Sequence, residues 1–183
     1  DDAFSAGGNF DWLRSLKHNS VHQNADIMLR FYRSFLCVRQ LPVPVIGAIQ
    51  GPAIGAGACL ALACDLRTAA PKKKILGFTF SSLGIHSGMG GSHLLHCAVG
   101  GPSAVINEIL LTGKVLSGEE ALKLGIVNRV AEDAKSAAYE LATKISTQHP
   151  VAIRTMLQTI RQRQDDGLEH TLQREALAQA VCY

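Results

Sequence analysis

The sequence lacks any apolar run long enough to cross a bilayer. A membrane-spanning helix needs about 20 consecutive apolar residues, and here Gly, Pro, Asp or Arg interrupts each apolar stretch well before that length. The chain also lacks the basic and then apolar opening of a secretory signal peptide. These absences predict an intracellular protein without a membrane anchor, in either the mitochondrial matrix or the cytoplasm.

Net charge and paired cysteines are equally scarce. The formal charge of +3 over 183 residues is too mild to indicate nucleic-acid binding. The cysteine count is five, an odd number, and four of these cysteines stand in apolar, helix-like contexts, so free thiols are expected. A hydrophobic content of 47% is enough for one globular domain with its own core.

Carboxylates are nearly absent from the centre of the chain. Between Asp26 and Glu108 the only acidic residue is Asp65. A pair of carboxylates for general acid/base chemistry therefore cannot come from this region. Asp65 itself follows a predicted helix, where hydrogen bonding to the turn is favoured over catalysis.

The first part of the sequence is predicted to alternate between strands and helices, and the last part is predicted to contain helices only. A helix ends before Pro42, Val43–Ile49 is predicted as a buried strand, 55–63 as a Gly/Ala-rich helix and Leu66–Ala70 as the next strand, which together make a βαβ unit. We predict an α/β core over residues 1–130 and a helical region over 131–183. Two further strands are predicted at 75–80 and 126–130. One helix is predicted to begin at Gly88–Gly91, and another to run from a capping box at Ser117–Glu120 to Gly125. From Ala134 onward the sequence predicts helices, with breaks at His149–Pro150 and Asp165–Gly167.

Two glycine-rich turns could bind an anion. Ala6-Gly7-Gly8 follows a predicted strand, and its small side chains leave the backbone N–H groups open to a ligand. Gly55-Ala56-Gly57 begins a helix, whose first N–H groups lack intrahelical partners. Together the two turns could stabilise an oxyanion. Each motif alone is also compatible with close helix packing.

Several segments resemble the crotonase superfamily, the enoyl-CoA hydratase/isomerase family. Their order and spacing both agree with the family, and they cover nearly the whole chain. The matching segments are 3–9 (AFSAGGN), 41–57 (LPVPVIGAIQGPAIGAG), 60–67 (LALACDLR), 83–91 (LGIHSGMGG), 111–113 (LTG) and 124–128 (LGIVN).

The resemblance implies a spiral core of β-β-α units followed by a helical trimerisation region, and a homotrimer or dimer of trimers. It implies an acyl-CoA substrate, with coenzyme A as part of the substrate and no other cofactor or metal. The thioester carbonyl would lie between the amides of Gly8 and Ala56, although the family usually has Gly at the second position. The family's first β-units and last helix are expected to lie outside residues 1–183. Carried over by position, the substrate-binding residues are Ala3, Ala6, Gly7, Gly8, Asn9, Phe10, Ala56, Gly57 and Gly88.

The same resemblance implies that the residues that usually transfer protons in this family are replaced here. The two glutamates with which hydratases of the family activate water correspond to Cys59 and Phe80, and the aspartate of dienoyl-CoA isomerases corresponds to Gly88. His86 is then the best local candidate for an acid or base, because histidine titrates near neutrality; its alternatives are capping the loop or facing a neighbouring subunit. Cys59 could act as a nucleophile only if the pKa of its thiol were lowered; otherwise it is an inert residue of the core.

Three other groups have ordinary structural interpretations that we favour. The basic loop Lys72–Lys74 is expected to be a solvated turn rather than a phosphate contact. His93, His96 and Cys97 have metal-ligand spacing but lack a companion carboxylate, so a helix face is expected. Loop serines Ser81, Ser82 and Ser87 could position a water, but usually bond local backbone.

Two hypotheses of function follow from these residues. The first is an acyl-CoA enzyme of the hydratase/isomerase family that works through a thioester enolate, with an acid or base other than the two glutamates. The second is a crotonase-fold protein that binds acyl-CoA or a protein partner without hydratase chemistry, since a fold does not fix a function.

Overall fold

The computed structural model describes residues 3–100 and 103–183, with the side chain of Ser103 excepted. In this part of the chain, short strands alternate with helices up to residue 130, and three long helices follow. The strands are β1 (Ile46–Ile49), β2 (Ala53–Ile54), β3 (Leu66–Ala69), β4 (Leu76–Gly77), β5 (Val115–Leu116) and β6 (Arg129–Val130). The helices are α1 (Phe10–Ser15), α2 (Val21–Leu36), α3 (Ala56–Ala63), α4 (Gly91–Val99), α5 (Ser103–Thr112), α6 (Gly118–Lys123), α7 (Ala134–Ser146), α8 (Pro150–Asp165) and α9 (Leu168–Ala180).

A parallel sheet in the order β1-β3-β6 forms the first layer. Ile46 lies opposite Leu66, and the pairing continues residue by residue to Ile49. The predicted βαβ unit is confirmed, but β1 starts three residues later than the predicted Val43. Pro44 has no N–H to give to a strand ladder, and the carbonyl of Val43 accepts a hydrogen bond from a helix instead.

A second small sheet, in the order β2-β4-β5, holds the loops around the candidate site. β2 pairs with β4 in parallel, and β4 pairs with β5 antiparallel. The predicted strand at 75–80 is too long, because only Leu76–Gly77 is extended in a ladder and Phe80 enters a 3₁₀ turn over Ser81–Leu83.

The predicted strand at 126–130 is also too long. The N–H groups of Ile126 and Val127 both donate to the carbonyl of Ala121, which closes the end of α6. These donors are therefore not available to a sheet, and β6 begins only at Arg129. The predicted capping box before α6 is confirmed: Ser117 accepts from the N–H of Glu120, whose carboxylate accepts from the N–H of Ser117.

Two helices, α1 and α5, escaped prediction. α1 has only six residues, and its N-terminus is capped by the side chain of Asn9, which accepts from the N–H of Trp12. A helix of this length shows too little periodicity to be predicted from apolar spacing. α5 has ten residues and follows two residues that the structure does not describe. By contrast, α7, α8 and α9 are separated at the two predicted breaks.

The core lies between the second sheet and the helices, and α9 is built into it. α9 packs along α2, and its buried residues recur at helical spacing, with Leu172 and Ala176 facing the core. Tyr32 of α2 is fully buried, and its hydroxyl donates to the side-chain oxygen of Gln179 at 2.5 Å. The C-terminal helix is therefore part of the core that supports the site.

A buried arginine joins α8 to this core. The guanidinium of Arg161 forms two hydrogen bonds with the carboxylate of Asp65, at 2.8 and 2.6 Å. Its other donors reach the carbonyls of Arg39, Leu41 and Val43. The five N–H donors of the guanidinium each have an acceptor. Asp65 thus has the structural role that the sequence favoured, since it also accepts from the backbone of the turn before β1.

We expect Arg161→Ala to lower the free energy of unfolding by about 3 kcal/mol or more, because it leaves the Asp65 carboxylate buried without its partner. Arg163→Ala, on the exposed side of the same helix, is the matched control and should change stability by less than about 0.5 kcal/mol. Urea denaturation of the full-length protein measures both. Equal losses in the two variants would show that the buried pair does not hold α8.

Candidate active site

A small apolar pocket lies where the two glycine-rich turns meet. Its volume is about 140 Å³. Its walls come from the first turn, α1, α2, the start of α3, the segment after β4 and the end of α9. The lining residues are Ala6, Gly7, Gly8, Phe10, Trp12, Leu13, Met28, Phe31, Ile54, Gly55, Ala56, Thr79, Phe80, Leu83, Ile85, Met89, Gln179 and Tyr183.

Backbone hydrogen bonds bring the two turns together. The N–H groups of Phe4 and Ser5 donate to the carbonyl of Pro52, and the N–H of Ile54 donates back to the carbonyl of Ser5. Gly7 follows at a φ of 97°, and a side chain there would come within 2.8 Å of the Ile54 carbonyl. Only glycine fits this approach.

The pocket is lined by the two residues whose amides were predicted to bind an oxyanion, and both N–H groups lack a partner in the described chain. Gly8 and Ala56 both line it, and neither amide donates a hydrogen bond to another described residue. Ala56 is the first residue of α3, where the helix dipole favours negative charge. Gly55 before it has a φ of 54° and donates its own N–H to the carbonyl of Gly77, which fixes the turn.

The structure brings part of the predicted substrate-binding set to the pocket. Ala6, Gly7, Gly8, Phe10 and Ala56 line it.

The other four predicted positions support the walls instead of lining them. Asn9 caps α1, and the carbonyl of Ala3 accepts from the side chain of Gln50. Gly57 packs against the Ser5 carbonyl, and Gly88 packs against the Tyr32 hydroxyl.

Cys59 lies beneath the pocket and does not line it. The residue is fully buried, and its sulfur donates to the carbonyl of Gly88 at 3.4 Å. Burial, and after it the negative charge of Glu175, raise the pKa of the Cys59 thiol well above its usual value. A thiol that stays protonated is a poor nucleophile. The structural alternative for Cys59 is therefore the better supported one.

Phe80 lies in the wall of the pocket. A methyl group added at Gly55 would contact the Phe80 ring at 3.9 Å, and Phe80 is only 7% exposed. An aromatic ring at this position makes the wall apolar and offers no group for proton transfer.

The imidazole of His86 is not brought to the pocket. His86 is exposed, and its Nδ1 lies 2.6 Å from the carbonyl of Ser87. Only its backbone is tied to the site, because the carbonyl of His86 accepts from the amide of Gln179. The local-capping alternative therefore fits His86 better than the role of proton shuttle.

Two of the three side chains with metal-ligand spacing contact a backbone carbonyl instead. His93 Nε2 lies 2.6 Å from the carbonyl of Gln164, and Cys97 contacts the same carbonyl. Within residues 3–100 and 103–183, no three His, Cys, Asp or Glu side chains come together as metal ligands.

Phe10 of α1 was predicted, but sequence reasoning missed the other pocket residues of α1, those of α2, and those in and after α9. Trp12 and Phe31 have ring centroids 5.1 Å apart and form one wall. The amphipathic spacing of α2 indicated a buried face without showing what that face meets. Gln179 and Tyr183 come from the C-terminal end of the chain, and only the tertiary structure shows that they reach the pocket.

Glu175 holds the loop that forms the pocket floor. This carboxylate is 1% exposed and accepts hydrogen bonds from the N–H of Gly90 at 2.7 Å and from the N–H and hydroxyl of Ser92. Met89, one residue earlier, has a φ of 65°, which is costly for a side-chain-bearing residue. The hydrogen bonds of Glu175 stabilise this strained backbone at the start of α4.

We expect Glu175→Ala to lower the free energy of unfolding by about 2 kcal/mol or more, because the donors of Gly90 and Ser92 lose a charged acceptor. Glu175→Gln should have a free energy of unfolding between those of Glu175→Ala and the wild-type protein, because its amide oxygen can still accept a hydrogen bond. Glu169→Ala on the same helix is the control; its pair with Arg33 is half exposed and contributes little. Chemical denaturation of the three variants tests this order, and a Glu175→Ala variant as stable as Glu169→Ala would contradict it.

A larger apolar groove lies elsewhere and lacks comparable chemistry. It encloses about 730 Å³ between the segment around β1 and helices α7 and α8. Neither glycine-rich turn reaches it. The smaller pocket is the candidate active site because paired amides, not volume, can stabilise developing negative charge.

The pocket thus combines apolar walls with backbone N–H groups that have no partner in the described chain. Its lining, as far as the structure describes it, includes no carboxylate or imidazole. The phenol of Tyr183 is among the lining groups, and burial raises its pKa. Such an arrangement can hold and polarise a carbonyl group inside an apolar environment. The fold and the site therefore define a mixed α/β protein with an apolar pocket between two glycine-rich turns and a helical C-terminal region.

Comparison with known proteins identifies the family. The sequence model described as enoyl-CoA hydratase/isomerase matches residues 1–181. The chain belongs to the enoyl-CoA hydratase/isomerase family. A crystal structure of an enoyl-CoA hydratase/isomerase from Mycobacterium paratuberculosis has a TM-score of 0.88 and 25% identity, covering 99% of this chain and 71% of that one. The predicted crotonase-like fold is confirmed.

Two curated relatives have named activities. Methylglutaconyl-CoA hydratase from Rattus norvegicus is 38% identical over 152 residues, which are 80% of this chain and 46% of that protein. (E)-benzylidenesuccinyl-CoA hydratase from Thauera aromatica is 39% identical over 129 residues, 69% of this chain and 49% of that protein. The chain spans about half the length of these two relatives. No helix in the described part of the chain is long and apolar enough to span a bilayer.

Proposed function

We propose that this protein binds an acyl-CoA thioester, with the thioester oxygen between the N–H groups of Gly8 and Ala56. The observation that carries the proposal is the pair of unpartnered amides in one apolar pocket. A donor of this kind typically contributes a few kcal/mol to stabilising an oxyanion. The named relatives, which are hydratases of CoA thioesters, support this substrate class.

Polarisation of the thioester would favour an enolate by stabilising the charge that develops on oxygen. The proton transfer that such a reaction needs has no carboxylate or imidazole in the pocket lining. We therefore propose that the acid or base comes from outside this lining, from another part of the full-length protein or from a neighbouring subunit.

A second candidate function is acyl-CoA binding without hydration. Phe80 in the wall and the buried Cys59 favour it, because these two positions correspond by resemblance to the glutamates that activate water in hydratases. The two candidates make the same binding prediction and differ in turnover.

Gly7→Ala is expected to weaken binding of crotonyl-CoA more than tenfold, because the added methyl group would meet the Ile54 carbonyl and open the paired amides. Gly100→Ala is the matched control. Gly100 has a similar positive φ of 60°, but its methyl group would meet no atom within 4 Å. Isothermal titration calorimetry on full-length protein gives both affinities, and equal affinities would rule out the proposed site.

Hydration of crotonyl-CoA by the same proteins separates the two candidates. Turnover that Gly7→Ala abolishes would favour the enzyme with an acid or base outside the lining. Binding without turnover would favour the second candidate. Turnover that survives in Gly7→Ala would show that the amides of Gly8 and Ala56 are not the oxyanion donors.

We also propose that the protein assembles as a homotrimer or a dimer of trimers. Met156 and Ile160, one turn apart on α8, are each 54% exposed, and Leu177 on α9 is 48% exposed. Apolar side chains in such positions are suited to burial against another subunit. Sedimentation equilibrium of the full-length protein should give three or six copies, and a monomer would overturn the assignment.

A further inference from the structure

A second chamber continues outward from the candidate active site. It encloses about 320 Å³, against about 140 Å³ for the inner pocket. The inner pocket is the smaller of the two, so a longer acyl group would extend from it into the outer chamber. The two chambers share five lining residues: Phe10, Leu13, Leu83, Ile85 and Tyr183.

Tyr183 lines both chambers, and its hydroxyl is an unused hydrogen-bond donor. Its hydroxyl oxygen is shielded from solvent and has no hydrogen-bond partner in the described part of the chain. Leaving a buried polar group unpaired is energetically unfavourable. Burial, and after it the nearby Cys182, raise the pKa of this phenol, so it stays a protonated donor at ordinary pH. A ligand oxygen at the junction would satisfy it.

The outer chamber adds two positive charges. Arg14 and Lys17, in and just after α1, line it, whereas no Asp or Glu side chain does. Arg14 has a surface contact with Asp11 at 3.6 Å, in which both side chains are largely exposed. That contact is too weak to neutralise the site. The chamber therefore offers a neutral donor and two cations to the same ligand group.

We propose that the outer chamber binds a carboxylate at the far end of the acyl group, so that the preferred substrate class is the CoA thioester of a short dicarboxylic acid. The Tyr183 hydroxyl donates to this carboxylate, and Arg14 and Lys17 attract it. This inference rests on the proposed function, because it places the thioester at Gly8 and Ala56.

The phosphates of coenzyme A are the other anions that could meet these cations. They are separated from the thioester by the whole pantetheine arm, whereas the outer chamber shares five lining residues with the inner pocket. An acyl group that leaves the inner pocket enters the outer chamber directly, because the same residues line both. The acyl carboxylate is therefore the better match.

Affinities for glutaryl-CoA and pentanoyl-CoA test the proposal, because these thioesters have equal length and differ in the terminal carboxylate. Full-length protein should bind glutaryl-CoA about tenfold more tightly, as expected for a hydrogen bond to a charged group. Tyr183→Phe should reduce this ratio about fivefold, and Arg14→Gln and Lys17→Gln about threefold each. Lys123→Gln, an exposed cation in the last turn of α6 that lines neither chamber, should leave the ratio unchanged.

The remaining outcomes are equally decisive. Equal binding of both thioesters by the wild-type protein would overturn this inference and leave the proposed function standing. Failure of both to bind would overturn the two together. A loss that Arg14→Gln and Lys17→Gln cause equally for both thioesters, and that disappears with the 3′-dephospho forms, would assign the cations to coenzyme A and reject the acyl carboxylate.

Discussion

The close approach of the Gly7 backbone to the Ile54 carbonyl is the constraint on which the site depends. The hydrogen bonds among Ser5, Pro52 and Ile54 hold two segments together that lie almost 50 residues apart in sequence. Because no side chain fits between them at Gly7, the amides of Gly8 and Ala56 can share one pocket. Ala56 would act through its backbone N–H in the proposed function, so a methyl side chain at this position is compatible with that role.

Buried polar groups fix the rest of the architecture around this contact. Arg161 ties α8 to the turn before β1 through Asp65, and Glu175 ties α9 to the loop that begins α4. A buried ion pair or carboxylate costs much if one partner is lost. Arg161 therefore fixes α8 to the core, while Glu175 makes α9 part of the site, because it holds the loop that forms the pocket floor.

The chemistry of the site is correspondingly divided. Two lining residues, Gly8 and Ala56, have backbone N–H groups without a partner in the described chain, whereas the described lining includes no carboxylate or imidazole. Cys59 is a protonated buried thiol, and Phe80 is part of an apolar wall. Backbone donors act more strongly in an apolar pocket than in water, because the local dielectric constant is lower. The described residues therefore offer groups that stabilise negative charge and no side-chain carboxylate or imidazole that transfers a proton.

The sequence by itself determined the βαβ unit, the three C-terminal helices, the capping box at Ser117 and both glycine-rich turns, because each depends on local conformational preferences. It could not fix the bounds of the strands predicted at 75–80 and 126–130. In the second of these, the N–H groups of Ile126 and Val127 donate to the carbonyl of Ala121 in a turn instead of to a ladder, so the strand begins only at Arg129. Only the tertiary structure decided that His86 faces solvent, that Glu175 holds the pocket floor, and that Tyr183 reaches a site built from residues at the other end of the chain. Those contacts join residues far apart in sequence, and no local pattern records which distant surface a side chain will meet.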